Sequence, residues 1–302
     1  MSTHDYIEDD RNKNILIYIN GELSTRDEAK ISVFDSGFLL GDGVWEGIRL
    51  HNGKLAFGEA HFNRLYDGAE ALDINIGMPK EELEAAVMST IEANSMESGV
   101  HIRLIVSRGL KRTPYQHPSA NVGGPTIVII PEYKKPNKDI LTNTLRLFTV
   151  KVLRSHPDIQ DPKLNTLSKH NCIAACIEAD KAGYDEALML DLDGNVSTCN
   201  STNFFIVKDD EVWTSTGMYC LNGITRGNII NLCRENEIPV YEKDFVLSDV
   251  YSAAESFVTG TFGGLIPVSE VDGRIFGDGK RGPMTERLQK LYAELIKQEC
   301  PE

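Results

Sequence analysis

No apolar run in the sequence approaches the ~20 residues a membrane-spanning helix needs. The opening stretch, residues 1–14, is polar and lacks the apolar centre of a secretory signal, so a cytoplasmic location is expected. Basic residues are in short supply: 31 Lys and Arg stand against 45 Asp and Glu in 302 residues, a formal net charge of −14. The mean field of such a chain repels phosphate, which sets aside general binding to nucleic acid or anionic membrane. Any anionic ligand must be held by a local site. Cysteine is sparse at six. Cys172, Cys176, Cys199, Cys220, Cys233 and Cys300 form no CxxC pair and no disulfide-like spacing, so free thiols are expected. Cys172 and Cys176 stand one helical turn apart, but small half-polar residues commonly just pack on a helix face, and no metal is expected. Repeats and low-complexity tracts are absent.

What remains is an ordinary globular composition, 41% hydrophobic and 25% charged, long enough for one large domain or two of usual size. Ile15–Ile19 reads as a strand ending in an Asn20-Gly21 turn. Ile31–Phe34 and Gly43–Leu50 read as further strands. Ala60–Leu72 and a segment opened by Pro79 carry apolar residues at helical spacing. His101–Ser107 and Thr126–Ile130 are β-like. Pro131–Asp139 is polar, holds two prolines, and is the candidate linker. Beyond it, Leu145–Val152 reads as a strand and Leu167–Ala182 as a helix stopped by Gly183. Hairpins are expected around Asp193-Gly194 and between Phe204–Val207 and Glu211–Thr214. Helices follow Gly223 and Gly282-Pro283. Strands and helices mix without a strict βαβ rhythm, which predicts an α+β fold of two domains.

Three polar turns could carry chemistry. Gly223-Ile224-Thr225-Arg226 opens a helix, whose unpaired N–H groups and dipole suit a phosphate; simple capping is the plainer alternative. Thr259-Gly-Thr261-Phe262-Gly-Gly264 offers backbone N–H groups and two hydroxyls, as an anion nest does. His61 and Arg64 lie three apart on one helix, where a solvated surface charge is the plainer reading.

These segments occur in one order with Asp35–Arg49, Asn203-Phe-Phe and Gly282-Pro-Met-Thr285. Together, over about residues 15–295, they resemble the class IV (fold type IV) pyridoxal-phosphate aminotransferases. That family includes branched-chain and D-amino-acid aminotransferases, (R)-selective amine transaminases and aminodeoxychorismate lyase. Gly43-Val-Trp-Glu-Gly-Ile-Arg49 is most similar to the branched-chain branch. The resemblance implies a smaller N-terminal α/β domain (1–133), a linker (134–140) and a larger C-terminal domain with a barrel-like sheet (141–302). It also implies pyridoxal 5'-phosphate in the interdomain cleft and a homodimer.

By the same resemblance, Arg64, Ile224, Thr225 and Thr261 contact the cofactor phosphate. Phe262, in the turn after Thr261, adds to the cofactor side and to reception of the substrate carboxylate. Trp45 and Arg103 fall on the substrate side. Arg112 and His117, on the following loop, are candidates for the substrate carboxylate, although their spacing departs from the D-amino-acid pattern. The Schiff-base lysine belongs in the turn before the 167–182 helix. Lys163 lies at the family's distance from Glu178-Ala179 and is expected to be that residue; Lys169, expected inside the helix, is the alternative. Relatives place a glutamate against the pyridine nitrogen, but here that residue is Thr198, and no Asp or Glu lies between Asp193 and Asp209.

The resulting expectation is an aminotransferase that moves an amino group from an amino acid, best a branched-chain L-amino acid, to a 2-oxo acid. A D-amino-acid or (R)-amine transaminase and an aminodeoxychorismate-type lyase are the alternatives within the family. A pyridoxal-phosphate-binding protein with impaired turnover is the alternative that Thr198 raises.

Overall fold

The computed structural model describes Thr3 and residues 6–302, so residues 1, 2, 4 and 5 of the polar opening stretch lie outside the described residues. The chain forms two compact units. One comprises Ile7–Lys135, Leu164–Lys169 and Glu299–Glu302; the other comprises Thr3, Tyr6, Pro136–Lys163 and His170–Gln298. The main change of unit is at Lys135/Pro136.

The first unit is built on strands β1 (Leu16–Ile19), β2 (Glu22–Thr25), β3 (Gly43–His51), β4 (Lys54–Ala56), β5 (Val100–Ser107) and β6 (Thr126–Tyr133). Their order in the sheet is β2-β1-β6-β5-β3-β4, with every neighbouring pair antiparallel. A short helix α1 (Ser36–Leu40) precedes β3, and two helices follow β4: α2 (Gly58–Ala71) and α3 (Lys80–Ala93). Alternation along β3 and β5 sends Val44, Ile48 and Leu50, with Val100, Ile102 and Leu104, into one core. Phe62, Leu65, Leu83 and Val87 of the helices meet them there.

The other unit holds β7 (Leu145–Thr149), α4 (His170–Lys181), β8 (Glu186–Leu190), β9 (Val196–Cys199), β10 (Asn203–Lys208) and β11 (Glu211–Thr214). It continues with α5 (Ile224–Glu235), β12 (Val240–Glu242), α6 (Leu247–Tyr251), β13 (Glu255–Gly260), β14 (Gly264–Val271), β15 (Arg274–Ile275) and α7 (Pro283–Glu299). The sheet runs β9-β8-β7-β14-β13-β10-β11-β12, with β15 beside β14. It is mixed, with parallel pairs at β7–β8, β7–β14 and β11–β12. Both faces are covered. Phe204, Ile206 and Val258 point into one core, while Phe205, Val207 and Phe257 point into a second, under α5 and α7. Burial on both sides is why these strands read as continuous apolar runs.

Three expectations are corrected. Ile31–Phe34 is not a strand. The Ser32 hydroxyl accepts the Phe34 N–H at 3.1 Å and its carbonyl accepts that of Asp35 at 3.0 Å, so the chain turns there. Pro131–Tyr133 is not linker but the end of β6, paired with Val100–Ile102. The 167–182 helix starts only at His170. Residues 165–167 instead run along β3: Trp45 N–H donates to the Asn165 carbonyl at 3.0 Å, Leu167 N–H donates to the Gly43 carbonyl at 2.9 Å, and Val44 bridges Thr166. Lys169 therefore precedes the helix. No described helix is long and apolar enough to cross a membrane.

Candidate active site

In the first unit, the strand register that buries Val44 and Ile48 also buries Glu46, since residues two apart share a face. A carboxylate there must be paired. His61 and Arg64, three apart on α2, supply the partners. Arg64 Nε and Nη2 donate to the two Glu46 carboxylate oxygens, each at 2.7 Å, and His61 Nδ1 lies 2.6 Å from Oε2. Burial pushes the Glu46 carboxyl up, but the hydrogen bonds from His61 and Arg64 outweigh it and the net direction is down. Arg64 is thus a held arginine rather than a solvated one. Sequence reasoning passed over Glu46, although its signal was legible: a charge at an inward position of an apolar strand.

The opposite face of β3 and β5 carries Trp45, Arg103 and Ile105, with Trp45 across from Ile105. The Arg103 guanidinium carbon stands 3.7 Å from the Trp45 ring centroid. Burial lowers the Arg103 pKa, with Glu132 and Glu46 acting the other way. Asn165 is buried beside them, donating through Nδ2 to the Trp45 carbonyl at 2.7 Å. Its Oδ1 accepts from Lys169 Nζ at 3.1 Å, and that ammonium lies 5.4 Å from the Trp45 centroid. Trp45, Arg103 and Lys169 are therefore brought together. Arg112 and His117 are not drawn into this group: both lie on an exposed loop, where Arg112 donates to the Ser119 carbonyl and His117 caps Ser119.

Lys163 belongs to the other unit. Its backbone N–H donates to Asp161 at 2.9 Å, and its Nζ lies 3.6 Å from the same carboxylate, with the side chain 37% exposed. Near the start of α5, Gly223 is the N-cap and offers no side-chain cap. A Cβ on Gly223 would meet Asn203 Oδ1, so the Asn203 side chain would have to shift to admit it. Thr225 is buried, with its hydroxyl 3.5 Å from that of Tyr292. Thr259 shares the sheet face of Phe257, the face beneath α5, and its buried hydroxyl has no hydrogen-bond partner. The sequence counts the Thr259 hydroxyl in the 259–264 turn, whereas the family resemblance put only Thr261 of that turn at the phosphate. Thr261 and the buried Phe262 follow in the turn that joins β13 to β14. A helix N-terminus without a side-chain cap and the hydroxyls of Thr225 and Thr259 form a donor set suited to a phosphate ester.

Thr198 is buried on β9 and donates its hydroxyl hydrogen to the Thr202 carbonyl at 2.7 Å. It therefore presents only lone pairs to anything else. Thr202 donates in turn to Glu186 at 2.9 Å, whose carboxyl is raised by burial. The Gly282–Thr285 motif is occupied within the unit: Met284 N–H, Thr285 N–H and the Thr285 hydroxyl all donate to Glu255. It anchors α7 and offers nothing to a ligand.

A small antiparallel-sheet unit and a larger mixed-sheet unit with an anion-ready helix start define the fold-type IV architecture. Residues 43–271 match the amino-transferase class IV family, and the chain belongs to it. It is 40% identical to branched-chain-amino-acid aminotransferase-like protein 2 of Arabidopsis thaliana, over 94% of this chain and 51% of the relative. The chain thus spans about half the length of the Arabidopsis relatives it matches. It is 37% identical to a putative branched-chain-amino-acid aminotransferase of Methanocaldococcus jannaschii, over 92% of this chain and 96% of that one. It is 32% identical to a D-alanine aminotransferase of Listeria monocytogenes, over 95% and 98% of the two chains. The T.th. branched-chain amino acid aminotransferase with pyridoxamine 5'-phosphate superposes with a TM-score of 0.88 at 28% identity, covering 96% of each chain.

Proposed function

We propose that this chain is a pyridoxal-phosphate-dependent aminotransferase that moves an amino group from a branched-chain L-amino acid to a 2-oxo acid. The observation that carries the reading is the donor set at the start of α5, where Gly223 leaves the helix N-terminus open and the buried Thr259 hydroxyl lacks a partner. These residues fit the phosphate of the cofactor. Ile224 and Thr225 supply N–H groups and a hydroxyl, and the turn at Thr261 and Phe262 supplies more. Arg64, in the other unit, has its Nε and Nη2 committed to Glu46. When bound, the cofactor withdraws electrons from the carbon that carries the amino group, so that a proton can leave it.

The branched-chain assignment is supported by the sheet face around Arg103. A desolvated guanidinium suits a carboxylate, and Trp45, Ile105, Ile130 and Val128, its neighbours in the register, suit an aliphatic side chain. The names of the relatives, branched-chain and D-alanine aminotransferases, agree with an amino-acid donor. A homodimer is supported by the 31–40 segment, which leaves Ile31, Val33, Phe34, Phe38 and Leu40 exposed, an unusual apolar concentration for a monomer surface. Six free thiols support a reducing, cytoplasmic setting.

A second reading, a cofactor-binding protein with impaired turnover, is favoured by Thr198, a neutral group with its hydrogen already committed to Thr202. One experiment separates the two. The cofactor-loaded protein is mixed with L-leucine, L-glutamate, D-alanine or (R)-1-phenylethylamine, and conversion to the pyridoxamine form is followed by absorbance. Conversion by L-leucine supports the branched-chain reading. Conversion only by D-alanine or the amine changes the substrate class. A bound cofactor that none of the four converts supports impaired turnover.

A further inference from the structure

The Thr225 hydroxyl is buried in the first turn of α5. Among the described residues its one hydrogen-bond partner is the phenol of Tyr292 on α7, at 3.5 Å. Gln289 and Tyr292 stand three residues apart and so share one face of α7. That face also braces the turn between β13 and β14. Gln289 Nε2 donates to the Leu265 carbonyl at 3.0 Å, and Leu265 stands across from Thr259 in the strand register. The Tyr292 ring lies against Gly264, where a Cβ would be 3.4 Å from the ring carbon Cε1. Gly264 has φ +68° and pairs with Gly260 to close the turn. Tyr292 therefore touches both elements that bring donors to the phosphate: the start of α5 through Thr225, and the 260–264 turn through Gly264.

We propose that Tyr292 is a positioning residue for the phosphate ester and acts through the Thr225 hydroxyl. The assignment rests on the cofactor reading above. A threonine hydroxyl carries one hydrogen and two lone pairs. The oxygens of a phosphate ester dianion only accept, so Thr225 must spend its hydrogen on them. Its own oxygen is then free to accept, and the Tyr292 O–H is the donor within reach. A phenol is more acidic than an alcohol, which makes Tyr292 the natural donor of the two. The bonds then run in one direction, from Tyr292 to Thr225 to phosphate, and each polarises the next. The gain is confined to the phosphate. A ligand without that group takes nothing from the ordered hydroxyl, so Tyr292 favours the phosphorylated cofactor over its unphosphorylated form.

The test compares two affinities. Cofactor-free full-length protein is titrated with pyridoxamine 5'-phosphate and, separately, with pyridoxamine, by equilibrium dialysis. These amine forms carry no aldehyde, so no bond to a lysine enters the result. Y292F removes one oxygen from a half-buried ring. It is expected to weaken pyridoxamine 5'-phosphate binding about 3–10-fold, the scale of one hydrogen bond, while pyridoxamine affinity and the melting temperature stay near those of the wild type. T225V is expected to weaken the phosphorylated ligand as well, and adding Y292F to it should cost nothing further, because the phenol acts only through that hydroxyl. Wild-type affinity for pyridoxamine 5'-phosphate in Y292F overturns the proposal. An equal loss for both ligands also overturns it, since Tyr292 is then structural. Additive losses in the double variant overturn the route through Thr225. All three results leave the phosphate site standing. A wild type that binds the two ligands equally removes the site itself, and the proposal falls with it.

Discussion

Arg64 closes a two-point fork on Glu46, with Nε and Nη2 each 2.7 Å from a carboxylate oxygen of a residue that is fully buried. The pair joins helix α2 to strand β3 and fixes the direction of the arginine. Replacing Arg64 by Met leaves a buried carboxylate with only His61. The expected cost is about 3–5 kcal/mol, the range for removing one member of a buried pair, read as the shift in a urea unfolding midpoint. The depressed Glu46 carboxyl also ties stability to acid. Its contribution is present above the ordinary glutamate range and is lost as pH falls through the lowered folded value. A midpoint unchanged within error in the Arg64→Met protein would show that the fork contributes nothing.

His51 gives a second acid dependence with a wider window. Burial, helped by Arg49, lowers its pKa from 6.5 to about 4. Between those values the unfolded chain binds a proton that the folded chain does not, so stability falls as pH drops from about 6.5 to about 4. His51→Gln is expected to flatten the unfolding free energy across that interval. A parallel decline in the variant would assign the slope to other groups.

Gly43 lies where a Cβ would meet the Val106 carbonyl oxygen at 2.6 Å and Leu167 Cδ1 at 2.7 Å. Gly43→Ala must push the sheet or the 164–168 segment aside. We expect a loss of about 1–3 kcal/mol, typical of overpacking, with weaker amide protection at Trp45 and Leu167 in hydrogen exchange. Wild-type protection at those two amides would mean that the segment stays seated on β3.

Gly223→Ala introduces a Cβ against Asn203 and tilts the start of α5. Affinity for pyridoxal 5'-phosphate, measured by titration of the cofactor-free protein, is expected to fall by about 10–100-fold, the scale of one or two hydrogen bonds to a charged group. Unchanged affinity would remove the α5 start from the phosphate site.

Thr198→Glu places a carboxylate where the hydroxyl now donates to Thr202. The wild-type cofactor nitrogen is expected to be largely unprotonated, since no charged group replaces the missing glutamate at that position. The variant should move the nitrogen-15 shift of labelled cofactor toward the pyridinium value, with some loss of stability from burying a charge. A wild-type shift already at the pyridinium value would assign the proton to another acid.

Local pattern carried much of this protein. Alternation in Gly43–Leu50 and His101–Ser107, helical spacing in α2 and α3, the turn residues of the hairpins and the order of the short motifs all act over a few residues, so they can be read along the chain. They set the α+β class, most element positions, the family resemblance, and the glycine-opened start of α5. What lay outside such reading depends on partners distant in sequence. Ile31–Phe34 has β-branched and aromatic residues yet turns on Ser32, because a local hydroxyl and carbonyl captured its N–H groups first. Pro131 looks like a linker residue until Ile102 is found beside it. The surroundings of Lys169 depend on pairing across some 120 positions, between Trp45 and Asn165. A hydrogen bond between residues that far apart leaves no periodic trace in the chain, so only the tertiary structure could decide which lysine stands over the tryptophan.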